Sequence, residues 1–153
     1  MMTLWRISSH IDLEGNGGRL FSSRWSSRGP RIVYLAESPA GAMLEILVHL
    51  PFRNGTIPDI YSLLQVEAPE QCALKTLNPL SRAAWKKRPE YTQRLGDVWL
   101  VSKETPLARV PSAVLPRTWN VLLNPDHPDA NQVKIVELIR ERFDNRLFRF
   151  GAR

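Results

Sequence analysis

Pro106, Pro111, Pro116, Pro125 and Pro128 divide the last third of this chain into short pieces. A proline has no N–H to give to a sheet ladder and breaks a helix interior. It is therefore confined to strand edges, strand ends and turns. Only short strands fit between these residues: Ala108–Val110, Ala113–Leu115 and Asn120–Leu123 are predicted, with NPDHPDA as a loop. Val133–Phe143 lies beyond the last proline, and its β-branched start predicts a strand. Upstream, Thr3–Ile7 reads as a first strand that presents Arg6, and residues 8–30 as a loop-rich segment containing Gly15-Asn16-Gly17-Gly18 and FSSRWSSRGP. Arg31–Leu35 and Ile60–Glu67 read as strands, with Ile60, Ser62, Leu64 and Val66 on one side. The basic stretch 75–90 reads as a mostly exposed connection, and Pro89 to about Ser102 as a helix with Leu95 and Trp99 inward, weakened by Gly96. The expected architecture is one α+β domain spanning 1–153, with a mixed or antiparallel sheet.

One helix poses a chemical question. Ser38 is placed to cap and Pro39 to occupy the first turn of a helix running to His49. Met43, Leu44, Leu47 and Val48 form its expected core-facing stripe. Glu45 lies beside that stripe, in register with Ala42 and His49. A carboxylate among apolar neighbours needs a partner, because desolvating it costs several kcal/mol. Glu45 therefore either pairs with His49 on a solvated strip or faces a cleft that uses it, with the small Gly41 and Ala42 allowing close approach.

Composition narrows the function classes. The chain has 153 residues, 43% hydrophobic and 24% charged, which suits a folded domain with one core. No apolar run reaches the roughly 18–20 residues of a membrane span, and the start MMTLWRISSH lacks a secretory h-region. With Cys72 as the single cysteine, neither a disulfide framework nor a cysteine-based zinc site is expected, and a cytoplasmic setting is the simplest reading. A net charge of +6 favours an anionic partner, whether nucleic acid, small molecule or acidic protein. No zinc-finger spacing, helix-turn-helix or aromatic single-strand-binding pattern is present to favour nucleic acid.

Four groups stand out from the scaffold: Arg6 in the first strand, Arg24 (beside Trp25) in the Gly/Ser loop, Tyr34 ending RIVYL, and Glu45. A guanidinium binds phosphate through two parallel hydrogen bonds, an aromatic ring stacks on a base, and a carboxylate stabilises a cation or holds a sugar hydroxyl. Each residue also has an ordinary structural explanation: a surface ion pair, a loop cap, a strand aromatic.

In order along the chain, WRI, GGRLFSSRWSSRG, VYLAESPAGAMLEILVH, RVPSAVLP, NVLLNPDHPD and FDNRLF together resemble the RES family. These are toxins of bacterial toxin–antitoxin pairs, named for an arginine, a glutamate and a serine. The resemblance runs from about Leu4 to Phe148. It implies an ADP-ribosyltransferase-like split sheet around an NAD cleft. On this resemblance Glu45, Arg6, Tyr34 and Ser112 would be catalytic, and Arg6, Arg24, Tyr34 and Ser112 would bind NAD, with Ser112 donating a hydrogen bond to the ligand. NAD would be a substrate, with inorganic phosphate as a co-substrate in one version, and no metal is required. The partner implied is an Xre-type helix-turn-helix antitoxin, in a homo-oligomer or a toxin–antitoxin assembly, without direct nucleic-acid binding. The family's loop resembles GGRWN, whereas this chain has SSRWSSRG, which leaves that loop's hydrogen bonds open. Water, phosphate or a protein side chain could accept the ADP-ribose, giving a glycohydrolase, a phosphorylase or an ADP-ribosyltransferase. The rival from another class is a basic, non-catalytic module that binds nucleic acid or a protein partner.

Overall fold

The computed structural model describes residues 1–50, 58–79 and 84–148. In chain order the strands are β1 (Met2–Ile7), β2 (Val33–Ala36), β3 (Ile60–Ala68), β4 (Leu74–Thr76), β5 (Leu107–Pro111), β6 (Trp119–Leu123) and β7 (Lys134–Arg142). The helices are α1 (Gly17–Leu20), α2 (Pro39–His49) and α3 (Pro89–Ser102). The strands form one seven-stranded sheet in the order β4-β5-β6-β2-β1-β3-β7. Every pairing is antiparallel except β4 with β5, so the sheet is mixed, as expected.

The sheet is split down its middle. β1 pairs with β3 from Met2↔Ala68 to Ile7↔Leu63, and β2 pairs with β6 from Val33↔Leu123 to Ala36↔Asn120. Between these two ladders, β1 and β2 share the single register pair Trp5↔Ala36. One plate, β1-β3-β7, thus meets the other, β2-β6-β5-β4, at one rung.

Period-two alternation sends side chains of the second plate to two cores. Leu35, Val121, Leu123 and Leu107 join Leu4, Leu64 and Val66 on one side. Leu122, Ala108 and Val110 pack on the other with Trp25, Trp85, Trp99 and Leu100, and Tyr34 lies against this second cluster. Burial on both faces explains why these strands read as continuous apolar runs rather than clean alternations.

Several boundaries differ from the sequence reading for identifiable reasons. Ala113–Leu115 is a turn, because Ser112 Oγ accepts from the backbone N–H groups of Val114 at 3.1 Å and Leu115 at 3.3 Å. The described residues of the 75–90 stretch are mostly exposed, as expected, but the stretch begins inside β4, a three-residue strand whose parallel partner β5 lies far along the chain, and it buries Leu77 and Trp85; its residues 80–83 fall outside those described. On α2 the fully buried positions are Gly41 and Ala42, whereas Met43, Leu44 and Leu47 are half-buried and Val48 is exposed. The small residues expected to admit a ligand instead let α2 settle against its own sheet.

The α3 prediction matches the observed bounds, and the misgiving over Gly96 is resolved by contact. A Cβ there would stand 1.6 Å from the carbonyl oxygen of Trp25, so glycine lets the helix touch that backbone.

Candidate functional site

Glu45 projects from the middle of α2, whose start is fixed as the sequence suggested. Ser38 Oγ accepts from the Gly41 N–H at 2.9 Å, with Pro39 in the first turn. The carboxylate does not pair with His49. Two donors converge on one of its oxygens: Ser112 Oγ donates to Oε1 at 2.9 Å and Asn120 Nδ2 donates to the same atom at 3.0 Å. Both donors come from the β5–β6 hairpin, Ser112 just past the end of β5 and Asn120 second in β6. Among the described residues Oε2 takes no hydrogen bond. The half-buried carboxylate is thus held by one oxygen and presents the other.

Ser112, which the resemblance makes a donor to the ligand, bonds Glu45 in this structure. A serine hydroxyl has one proton and two lone pairs. Here the proton goes to Glu45, and the oxygen accepts from Val114 and Leu115. Ser112 is buried and fully engaged, so it acts on the carboxylate.

The Arg24-Trp25 pair forms the tip of a tight turn closed by the Ser23↔Ser26 bridge, with Ser23 N donating to Ser26 O at 2.8 Å. Serines supply the bonds left open by the departure from the family loop. Ser23 Oγ bonds the Tyr34 hydroxyl, and Ser27 donates to Asp97 from its backbone N–H at 2.9 Å and from its hydroxyl. Helix α3 grips the turn from its other side, with Gln93 Nε2 donating to Ser23 O at 2.8 Å and Thr92 Oγ1 donating to Arg24 O. Trp25 is buried against Trp85, their ring centroids 6.1 Å apart. This anchoring leaves the half-buried Arg24 side chain at the tip, where Nη1 donates to the Lys86 carbonyl at 3.0 Å.

Tyr34 is the hub beneath that turn. Its hydroxyl oxygen accepts from the Trp25 N–H at 3.1 Å besides bonding Ser23. Burial pushes the phenol up to about 12, against the opposing pull of the Ser23 and Trp25 hydrogen bonds and of the nearby Arg24 charge. The hydroxyl is therefore neutral and already committed to Ser23 and Trp25, and the ring packs against the second core cluster.

Arg6 stands apart from both clusters. It pairs in register with Leu64, one residue beyond the Trp5↔Ala36 rung, and its Nη1 donates to the Asp12 carbonyl at 2.7 Å. Alternation places it on the face of Leu4 and Leu35, opposite that of Tyr34 and Asn120. Burial lowers its pKa, with the Asp12 charge opposing. The structure thus brings Glu45 together with Ser112, and Tyr34 together with the Arg24 turn, and holds Arg6 by a separate loop.

The sequence reading missed Asn120, which it placed in a short apolar strand. The signal was a polar residue two positions before Leu122, hence on an inward face. Among the described residues, no three His, Cys, Asp or Glu side chains gather as a metal ion needs. No helix among them is long and apolar enough to cross a membrane. A hollow of about 290 Å³ lies by edge strand β7, lined by Pro58, Asp59, Arg142, Phe143, Asn145 and Phe148, and contains none of these candidates.

The family model of the RES domain matches residues 3–145. "Toxin Res" of Pseudomonas putida (strain KT2440) is 44% identical over 134 residues, covering 88% of this chain and 92% of that protein. "Prs ADP-ribosylating toxin" of Sphingobium sp. (strain YBL2) is 32% identical over 158 residues, covering 96% and 97%. In three dimensions, a chain of the M. tuberculosis MbcT–MbcA toxin–antitoxin complex superposes with a TM-score of 0.69 over 92% of this chain and 84% of its own, at 18% identity, a likeness of fold.

Proposed function

This chain belongs to the RES domain family of toxins, and from that premise we propose that it consumes NAD by cleaving the bond between nicotinamide and ribose. The observation that carries the reading is the Glu45 carboxylate, fixed through Oε1 by Ser112 and Asn120 with Oε2 left to act. As the glycosidic bond lengthens, positive charge develops on the ribose C1′. A carboxylate already held in place stabilises that charge without having to reorganise during the reaction. Its partly buried setting strengthens the effect by limiting solvent screening. Arg24 at the turn tip is assigned to the pyrophosphate and the Tyr34 ring to packing against nicotinamide or its ribose, whereas Arg6, on the opposite face of the sheet and tied to the Asp12 carbonyl, is given no part in holding the ligand.

Water or inorganic phosphate would take the ADP-ribose, making the protein a glycohydrolase or a phosphorylase. The second reading is transfer to a protein side chain, favoured by the name of the Sphingobium relative. An antitoxin that covers the cleft mouth near Arg24 and Tyr34 would silence either activity. The fold neighbour's presence in a toxin–antitoxin complex supports such a partner, here proposed to be of the Xre type in a hetero-oligomer.

The test is to incubate the purified protein with NAD, with and without phosphate, and to identify the products. Release of nicotinamide is expected, with free ADP-ribose or its phosphorylated form as the second product. Glu45→Gln keeps the shape and loses the charge, so turnover should fall on the order of 10²-fold or more. Wild-type turnover in that variant would remove Glu45 from the mechanism.

A further inference from the structure

Helix α3 turns one face to the Arg24 turn. Thr92, Gln93, Gly96 and Asp97 fall on the same side of the helix. Thr92 Oγ1 donates to Arg24 O, Gln93 Nε2 donates to Ser23 O at 2.8 Å, and Gly96 admits the Trp25 carbonyl. Asp97 takes the returning end of the turn, accepting the Ser27 N–H at 2.9 Å on Oδ1 and the Ser27 hydroxyl on Oδ2. Both oxygens of this half-buried carboxylate are thus spent on one serine, and among the described residues no cation pairs with them. A carboxylate withdrawn from water usually takes a cation as its partner. This one takes neutral donors, although an arginine stands three residues before Ser27. Arg24 likewise spends Nη1 on a neutral group, the Lys86 carbonyl. Besides the burial that dominates the Tyr34 phenol, the charges of Arg24 and Asp97 act on it in opposite senses, so both lie near that hydroxyl.

We propose that Asp97 is a positioning residue for substrate binding: by clamping Ser27 it fixes one end of the turn that carries Arg24, and so aims that guanidinium, left unneutralised, at the ligand's pyrophosphate. The inference rests on the NAD reading above and adds to it a residue that touches no substrate. A guanidinium holds phosphate through two parallel hydrogen bonds, whose directions follow from the backbone that carries it. A turn loose at one end would have to be ordered on binding, which weakens affinity. The carboxylate is suited to the task where an amide is not. It accepts from both the N–H and the hydroxyl of Ser27, whereas an asparagine would offer one acceptor and one donor. The serine-rich loop SSRWSSRG thus finds on α3 the group that holds it.

The experiment measures KM and kcat for nicotinamide release, and ADP binding by calorimetry, in the wild type, Asp97→Asn, Arg24→Ala and the double variant. ADP keeps the pyrophosphate and lacks the bond on which Glu45 acts. Asp97→Asn should raise KM and weaken ADP binding roughly tenfold, because a small displacement of a binding group is that costly. Its kcat should stay within about twofold of wild type, since the Glu45 clamp is untouched. Once Arg24→Ala has removed the guanidinium, adding Asp97→Asn should change ADP binding by less than about twofold. A merely structural aspartate would weaken ADP binding as much in the Arg24→Ala background as in the wild type, and that result overturns the proposal. So does wild-type ADP affinity in Asp97→Asn, or a loss confined to kcat. Should Asp97→Asn fail to fold, Ser27→Ala decides. It removes one of the two bonds and keeps the other, so ADP binding should weaken roughly threefold, again only while Arg24 is present. Wild-type ADP affinity in Ser27→Ala overturns the clamp. If ADP binding depends on Asp97 and Arg24 in this way but the wild type releases no nicotinamide, the functional reading falls and the clamp stands. If the wild type releases nicotinamide and ADP binding ignores Asp97, the clamp falls alone.

Discussion

Gly96→Ala is a substitution that ordinarily helps a helix, by about 1 kcal/mol. Here it should do the reverse. The new Cβ would stand 1.6 Å from the Trp25 carbonyl oxygen, and 3.4 Å is where ordinary contact begins. Helix and turn must therefore separate by about 1.8 Å, and the obstacle is backbone, which cannot rotate away. A shift of that size lengthens the bonds joining α3 to the turn beyond any useful range: Gln93 to Ser23 O at 2.8 Å, Ser27 N to Asp97 at 2.9 Å, and Thr92 to Arg24 O. At about 1 kcal/mol each, more for the bond to a charged carboxylate, and less the helix gain, the net loss is roughly 2–4 kcal/mol. For a domain of this size that lowers Tm by roughly 5–15 °C. Differential scanning calorimetry with a matched urea titration reads the effect directly. A Gly96→Ala protein as stable as the wild type, or more stable, would refute the claim that α3 and the Arg24 turn are locked by backbone contact.

Ser112→Ala should lower turnover on the order of tenfold and cost about 1–3 kcal/mol of stability, because Glu45 loses a donor and two backbone N–H groups lose their acceptor; paired kinetic and denaturation measurements check both. Arg24→Lys should bind NAD more weakly than the wild type but better than Arg24→Ala in calorimetry, since lysine keeps the charge and loses the two-pronged geometry. Tyr34 gives a pH prediction. Its phenol is raised from 10.0 to about 12 in the fold, so the fold favours the neutral form. That contribution is present below pH 10.0 and is lost as pH rises through about 12. Melting curves across that window should fall more steeply for the wild type than for Tyr34→Phe, and parallel curves would count against the assignment.

What the sequence disclosed depended on how local each signal was. The Ser38 cap, the Pro39 helix start and the bounds of α3 are set by neighbours within a turn or two, and all are found in the structure. β4 was invisible because three residues carry no period, and its pairing with β5 is fixed by packing elsewhere in the chain. The α2 stripe was misjudged for a related reason. Helical spacing tells which residues share a face, but the sheet packed against α2 selects which face is buried, and it took the one with Gly41 and Ala42. At the site, Glu45 was conspicuous as a carboxylate among apolar residues, whereas Asn120 was hidden in a strand that reads as ordinary. Its contact with Glu45 spans 75 positions, a separation at which no local pattern operates.

That separation has a consequence for the chain while it is being made. Both donors to Glu45 lie downstream of it, by 67 and 75 positions. A ribosome that has reached α3 has released Glu45 into the nascent chain with neither donor yet synthesised. β6, which carries Asn120 and zips onto β2, follows only later. The carboxylate thus acquires its fixed position only as the β5–β6 hairpin emerges and docks. For a toxin, that order of synthesis keeps truncated products without an assembled Glu45 clamp, and it delays the clamp in each new copy until most of the polypeptide has left the exit tunnel.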